Sequence, residues 1–549
     1  VVVNEGDVVG GTLPPNVVAQ INAKGARYLH LGMNISRDER GSSLSEQEVL
    51  ARGFQVMEIK VKPVLKRTNY RLPLKDEDKR PVFMVCITSG QNLPNVIACA
   101  EFPLVGLMIL VTDMEGSKVA AQRISNAVAR LHIKGRPKPQ IHQHEYAALS
   151  DAVGEGSLYR SMQKLKKDYQ NKYPNCRFIA NLTGGTKPMS LELSHLAERL
   201  GFERIYCETE QAAIRIFDHR QSVRYSALQP FRHNLNFDAY FETQGYRITK
   251  CFKNATDIFF PSGEVDEAEL KRIYAFVENM VCQAQVKIDY RRTQTKNTQG
   301  TAGSNQAKSS KSYHSVIHEI ANGFFEKFKY KEFEKERFKN TQIILRTSDL
   351  GQCLKPEILD VLQSLGLAVE ESTDLKKLQL TCPNERIARF IKGIWFEFAF
   401  ALALENALEE LKHALGATPR VQYSTTLNFA DRSINPQLSD VQELDVIVLS
   451  NNLLHVFEVK AGWSFLYEGK GTDYKGSTLK NKISGALGTY QIVVASAAQK
   501  REKDKMTFKR LTQFNIPVRD FTESAASMNE FNNWVKSCVL EPILLPSMP

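Results

Sequence analysis

The stretch ELDVIVLSNNLLHVFEVKAG, residues 443–462, sets Asp445, Glu458 and Lys460 into an otherwise apolar run. Positions 444–449 and 453–460 are rich in Val, Leu and Ile and are interrupted by Ser450-Asn451-Asn452, the pattern of two strands joined by a tight turn. Asn tolerates positive φ, so Asn451-Asn452 predicts a two-residue hairpin. Centred there, position 450 pairs with 453, 449 with 454, and 445 with 458. Asp445 and Glu458 then oppose each other with Cβ atoms about 4.5–5.5 Å apart. Lys460, two residues past Glu458, shares their face. Opposed carboxylates are unfavourable unless a cation neutralises them. Hard oxygen donors on a stiff scaffold suit Mg²⁺ or Mn²⁺, with Asp445 and Glu458 as the metal ligands. Lys460 beside them would orient an attacking water or stabilise charge on a phosphate. The plainer alternative is a surface hairpin whose polar face is only solvated.

A carboxylate upstream favours chemistry. RFIKGIWFEFAFALALENALEEL (389–411) is apolar almost all round and predicts a buried helix, which Glu397 interrupts. A helix carboxylate, then Asp, then Glu-x-Lys on a hairpin resembles the PD-(D/E)xK nuclease core. The resemblance implies a restriction-endonuclease-like α/β domain over 385–549. It also implies metal-dependent phosphodiester hydrolysis by Glu397, Asp445, Glu458 and Lys460.

Composition agrees with that reading without requiring it. The 549 residues allow three or four domains, and a net charge of +11 with pI near 9.0 favours polyanionic partners. The absence of a membrane-length apolar run and of a signal peptide predicts a soluble, cytoplasmic chain with no membrane partner. Nine scattered cysteines form no Cys-x-x-Cys pair and read as reduced fillers. His142 with His144, and His314 with His318, lack further ligands nearby and read as structural. Because the chain begins with Val1 rather than Met, a fragment of a longer protein is expected.

From residue 81, strand-like and helix-like segments alternate: PVFMVCITS, PNVIACAEF, GLMILVTD, SKVAAQRISNAVARLHI, and onward to RIYCETE. Such alternation predicts parallel β-α-β units in a doubly wound sheet over 80–285, with helices on both faces. Residues 286–313 read as a basic linker or loop; its 291–313 portion has five basic residues and no acidic ones. Residues 314–384 read as a winged-helix-like connector, with KPEILDVLQSLGLAVEESTDLKKLQLTC as a helix followed by a hairpin. In an open parallel sheet, ligands bind beyond the carboxyl ends of the strands. Two loops fall there. ITSGQNLPN (87–95) is small and amide-rich before Pro94. NLTGGTKPMS (181–190) offers a Gly pair for close backbone approach, hydroxyls at Thr183 and Thr186, and the charge of Lys187 at a helix start that favours an anion.

SGQNLPN, VTD (111–113) and NLTGGTKPMS, followed by FIKGIWFE and the 443–462 hairpin, resemble CARF domains fused to PD-(D/E)xK nucleases. Such fusions are ancillary nucleases of type III CRISPR systems, and the resemblance spans about residues 80–545. It implies a Rossmann-like CARF domain and a homodimer that binds a cyclic oligoadenylate, most often cyclic tetraadenylate, across its two-fold axis. Binding would activate cleavage of DNA, RNA or both with Mg²⁺ or Mn²⁺. By motif, the implied ligand-binding residues are Ser89, Gln91, Thr112, Thr183, Gly184, Gly185, Thr186 and Lys187.

Residues 1–75 depart from that architecture. Gly11, Thr12 and Asn16, with RYLHLGM (27–33), resemble a small CRISPR-associated family proposed to be ring nucleases, here truncated at its start. That implies a second activity, removal of the activator; His30, between apolar neighbours, reads as structural. Two other functions remain open from the residues alone. One is a constitutive repair or restriction nuclease, which needs no messenger pocket. The other is a nucleotide-responsive DNA-binding regulator, which has no use for opposed carboxylates.

Overall fold

A computed structural model describes residues 3–11, 18, 21–22, 24–33 and 54–58 of an N-terminal unit. From 79 onward it describes all residues except 132, 134–135, 146–156, 218–226, 283–286, 292–307, 313–316, 318–319, 321–342, 348–355, 372–377, 412–418, 430–441, 462–487, 496–510, 512–515, 522–526 and 545–549. The chain forms two compact units, Val1–Asp78 and Lys79–Pro549.

In the first unit, β1 (Val8–Gly11) lies parallel to β2 (Arg27–Met33), and β3 (Phe54–Glu58) pairs antiparallel with β2. Parallel neighbours require a crossover. Gly25 takes φ 76° and leads into β2, where Tyr28 packs on Val18, Ile21 and Ala26. Gly11 ends β1 and His30 lies on β2, whereas Thr12 and Asn16 fall outside the described residues.

The second unit holds the alternation read from the sequence. Its strands and helices are β4 (Val82–Ile87), α1 (Leu93–Glu101), β5 (Leu104–Val111), α2 (Glu115–Ala129), β6 (Gln140–Glu145), α3 (Ser157–Lys172), β7 (Arg177–Asn181), α4 (Lys187–Leu200) and β8 (Glu203–Glu208). Two antiparallel strands follow, β9 (Ala213–Phe217) and β10 (Ala227–Pro230). The sheet order is β10-β9-β8-β7-β4-β5-β6, with β8 to β6 all parallel. Every residue of β4 and β5 is buried, as expected of central parallel strands covered on both faces. Alternation along β4 assigns the faces: Met84 and Cys86 pack with α1 and α2, while Phe83 and Val85 pack with α3 and α4. The expected Rossmann-like sheet, helices on both faces, is borne out. The antiparallel edge was not anticipated; Ala212, at φ 49°, turns β8 back into β9 without a crossover.

After α5 (Phe237–Gln244) the chain leaves this sheet. The strand β11 (Tyr246–Phe252), within the 80–285 span, belongs to a second sheet. Next come α6 (Glu267–Cys282) and an antiparallel ribbon of β12 (Lys287–Arg291) and β13 (Lys308–Ser312). The ends of the basic segment are thus paired strands rather than free linker; its middle, 292–307, lies outside the described residues. In the connector, β14 (Ile343–Thr347), α7 (Pro356–Ser364), β15 (Ala368–Glu371) and β16 (Leu378–Cys382) give a helix, a hairpin and a third strand, in the order β14-β16-β15.

The last block contains α8 (Trp395–Leu411), β17 (Arg420–Phe429), β18 (Gln442–Ser450), β19 (Leu453–Lys460), β20 (Thr489–Val494), β21 (Val518–Asp520) and α9 (Met528–Leu544). Its sheet runs β11-β17-β18-β19-β20-β21, antiparallel through β19 and parallel beyond. One face, with Val446, Val448, Phe457 and Val459, packs on α6, α8 and α9. The other, with Ile447, Leu449, Leu454, Val456, Tyr490 and Ile492, shares one core with α1, α2 and α5 of the first sheet. Among the described residues, no helix is long and apolar enough to cross a membrane.

Candidate nuclease centre and ligand cleft

The hairpin forms in the expected register. Asn451 and Asn452 take φ 51° and 62°, and the ladder runs Ser450↔Leu453, Leu449↔Leu454, Val448↔His455, Ile447↔Val456, Val446↔Phe457. The pairing ends there, and Asp445 and Glu458 lie one position beyond it on the two strands. Lys460 stands between them, its Nζ 2.9 Å from Asp445 Oδ2 and 2.9 Å from Glu458 Oε1. Asp445 Oδ2 also accepts the Val459 amide at 2.8 Å, and the Tyr490 hydroxyl donates to Glu458 Oε2 at 3.3 Å. Asp445 is 9% exposed and Glu458 4%, so these charges lie largely out of water. Burial acts to lower the Lys460 pKa, but the two carboxylates outweigh it and leave it raised, so the side chain stays ammonium.

Glu397 joins the group from the first turn of α8. Its pKa is held well above the usual carboxyl range, first by burial and then by the charge of Asp445; Lys460 opposes, while Glu443 and Glu458 add. The helix reaches this point through a π-helical segment, Phe390–Ile394. The small residue there lets the turn approach the strand end: a Cβ on Gly393 would lie 3.8 Å from that of Ala461. Phe400 packs against Phe457 with the rings tilted by 46° and their centres 5.5 Å apart, which holds α8 to β19. On β17, Tyr423↔Val446 and Thr425↔Leu444 bracket Asp445, which aligns it with Ser424, a serine at φ 41°.

Asp445, Glu458 and Lys460, expected from the sequence, thus come together, joined by Tyr490 and the Val459 amide, while Glu397 is buried within reach of their charges. Tyr490 had no signal of its own, because it lies in a valine-rich run that reads only as a buried strand. Among the described residues no three His, Cys, Asp or Glu side chains stand in metal-binding geometry. The donors nevertheless fit a hard divalent cation: two nearly dry carboxylates share one face and already share one positive charge, that of Lys460.

The second cluster lies at the top of the first sheet. Connections from β4 run outward through β5 to β6 and then return to β7 and β8, so the winding reverses between β4 and β7. That reversal opens a crevice at the carboxyl ends, and 87–95 and 181–190 border it. Buried amides tie the loops together: Asn95 Nδ2 donates to the Ile87 carbonyl at 2.8 Å and Asn181 Nδ2 to Asn95 Oδ1 at 2.9 Å. Ser89 Oγ caps its own loop, accepting the Gln91 amide at 3.2 Å. Gln91, Thr186 and Lys187 are exposed, and Ser89 and Thr112 partly so. Asn92 and Thr186 are the N-caps of α1 and α4, so two helix N-termini point at the crevice and favour an anion there.

Two of the expected ligand residues face inward instead. Thr183 Oγ1 donates to Asn181 Oδ1 at 2.6 Å and accepts the Cys207 amide at 2.8 Å. Gly184 is buried, and its missing side chain makes room for the Ile87 carbonyl. Gly185, at φ 79°, makes the turn. Asn95 and Asn181, which hold both loops, were missed as site residues; the Asn at the head of NLTGG was the available signal. His142, bonded to the Tyr169 hydroxyl at 3.0 Å, and His144 both lie on β6 with pKa values lowered by burial, as structural residues do. His314 and His318 lie outside the described residues.

Residues 83–240 match the family model of the Card1 CARF domain, and residues 1–62 match that of a putative CRISPR-associated protein family, Cas_VVA1548. No curated protein matches the chain by sequence. Among solved structures, protein VC1899 from Vibrio cholerae is similar over 84% of this chain and 98% of its own, with 13% identity and a TM-score of 0.56, a likeness of fold. Can2 from Sulfobacillus thermosulfidooxidans, solved in complex with cyclic tetra-adenylate, aligns over 83% of this chain and 98% of its own at 16% identity and a TM-score of 0.48. A type III CRISPR defence DNA nuclease activated by cyclic oligoadenylate aligns over 75% and 45% at 13% identity and a TM-score of 0.36.

Proposed function

We propose that this chain is a cyclic-oligoadenylate-gated, metal-dependent endonuclease of type III CRISPR defence, working as a homodimer on DNA, RNA or both. The observation that carries this reading is the buried cluster in which Lys460 Nζ lies 2.9 Å from a carboxylate oxygen of both Asp445 and Glu458. The CARF match over 83–240 supports the gating half.

Asp445 and Glu458 would hold Mg²⁺ or Mn²⁺, which when bound supplies a Lewis acid and a water acidified enough to attack phosphorus. The remaining roles belong to the chain. Lys460 carries a fixed positive charge beside the carboxylates and is suited to stabilise the anionic phosphorane. Glu397, on the first turn of α8, would complete the acidic set. Tyr490 holds Glu458 in place. In the crevice, Ser89, Gln91, Thr112, Thr186 and Lys187 would meet the phosphates of the activator, while Thr183, Gly184 and Gly185 shape the loop. The first unit's match to a CRISPR-associated family supports a second role for residues 1–62, opening the activator ring and so limiting the response. Incubating the chain with cyclic tetraadenylate and analysing for linear products tests that role.

The central test is cleavage of supercoiled plasmid and single-stranded RNA with Mn²⁺, with and without cyclic tetraadenylate, alongside Asp445→Ala. Activator-dependent cleavage, lost in the variant, is expected. Equal cleavage without activator would favour a constitutive nuclease, and none under any condition would favour a regulator.

A further inference from the structure

The nuclease hairpin is fastened by its tip to the CARF-like domain. Asn452 is fully buried, and its side chain accepts the Leu235 amide at 2.7 Å and donates to the His233 carbonyl at 2.9 Å. Its own amide donates to Asn234 Oδ1 at 3.0 Å. Three bonds thus bind one turn residue to one three-residue segment. That segment is held in turn by Glu101, the last residue of α1, whose carboxylate accepts the backbone amides of Arg232 at 2.9 Å and His233 at 2.8 Å. Glu101 is 0% exposed, and Arg136 seals the joint by bonding the carbonyls of Ala100 and Phe102 and approaching the His233 ring.

The other end of α1 is the candidate ligand loop. Asn95, in its first turn, holds the Ile87 carbonyl and receives Asn181, so both crevice loops are fixed to the start of this helix. Every residue of α1 from Pro94 to Glu101 is buried. A helix of nine residues, about 13 Å long, packed on all sides transmits a push as a rigid rod rather than bending. From Asn452 the two strands run about 15–20 Å to Asp445 and Glu458. Hydrogen bonds thus link the crevice loops, α1, Glu101 and the 232–235 segment to Asn452, and the strands of the hairpin continue from there to Asp445 and Glu458.

We propose that Asn452 is a positioning residue, the joint through which α1 carries activator occupancy from the crevice to Asp445 and Glu458. This rests on the gated-nuclease reading above. Asn452→Gly tests it, because glycine keeps the positive φ and removes both side-chain bonds; Asn452→Asp keeps the acceptor and loses the donor. Cyclic tetraadenylate affinity is measured by calorimetry, and kcat and KM on the substrate the wild type cuts, with and without activator. Asn452→Gly is expected to bind activator as the wild type does, with unchanged KM, but to lose roughly tenfold of the activator-induced rise in kcat. Asn452→Asp should fall between the two. Wild-type stimulation in Asn452→Gly overturns the proposal. A wild type indifferent to activator instead rejects the gating, and the joint is then judged by unfolding. Glu101→Gln and Asn452→Gly act on the same segment and should shift Tm non-additively when combined; additive shifts overturn it.

Discussion

A Cβ placed on Gly184 would lie 2.1 Å from the carbonyl oxygen of Ile87, so the two crevice loops meet backbone to backbone. Gly184→Ala must push them apart. Forced overpacking of this kind costs about 1–3 kcal/mol. The expected result is a lower Tm with weakened cyclic tetraadenylate binding, read by calorimetry, and an unchanged Mn²⁺-induced stabilisation of the distant hairpin. Wild-type affinity would mean that loop spacing does not shape the pocket.

Tyr490→Phe removes one hydroxyl and keeps the ring. Glu458 loses the hydrogen bond from Tyr490 but retains Lys460. Partners that orient a metal-ligating carboxylate are commonly worth 10–100-fold, so activated cleavage should drop by roughly tenfold with little change in Tm. Full activity in a kinetic assay would remove Tyr490 from the site.

Glu458→Ala and Lys187→Ala should separate the two halves of the molecule. The first is expected to abolish cleavage and leave activator affinity intact. The second removes an exposed charge at the start of α4, and should weaken activator binding while leaving Mn²⁺ binding alone. Unchanged potency of cyclic tetraadenylate on Lys187→Ala would move the pocket elsewhere.

His455 supplies a pH dependence. Burial lowers its pKa from the usual 6.5 to about 4; Nδ1 meets Thr489 Oγ1 at 3.0 Å, and Nε2 has no hydrogen-bond partner among the described residues. Between those values the unfolded chain binds the proton and the folded chain does not. The stability contributed by the neutral ring is therefore complete above about pH 6.5 and is lost as pH falls toward 4, by about 3 kcal/mol in all. His455→Gln should flatten the Tm profile over that window relative to wild type. Parallel profiles would show that the ring titrates normally.

How much of this was legible in the sequence follows from the range of each interaction. The hairpin register could be read because a turn needing two positive φ values is specified by its own residues, Asn451 and Asn452. The β-α alternation was equally local, and with it the crevice loops. Pairing of Tyr246–Phe252 with Arg420–Phe429 was not legible, since an edge strand carries no mark of so distant a partner. Nor was the inward turn of Thr183: a threonine in a glycine-rich loop has the same sequence signature whether its hydroxyl meets a ligand or a neighbouring amide. Glu101 looked like an ordinary helix residue, and only the return of Arg232 and His233 gives its buried charge a purpose.

The π-helical turn at Phe390–Ile394 fixes the angular phase of everything after it. One residue accommodated there turns the following helix by about 100° relative to uninterrupted α geometry. Glu397 therefore faces the strands by virtue of a local insertion, and the aromatic face of α8 is set by the same step. Deleting a single residue between 390 and 394 would leave composition, charge and hydrophobicity almost untouched. It would nonetheless force a choice between keeping Phe390 and Ile391 in the core ahead of the turn and keeping the face of α8 that follows it, with Glu397, in its present orientation.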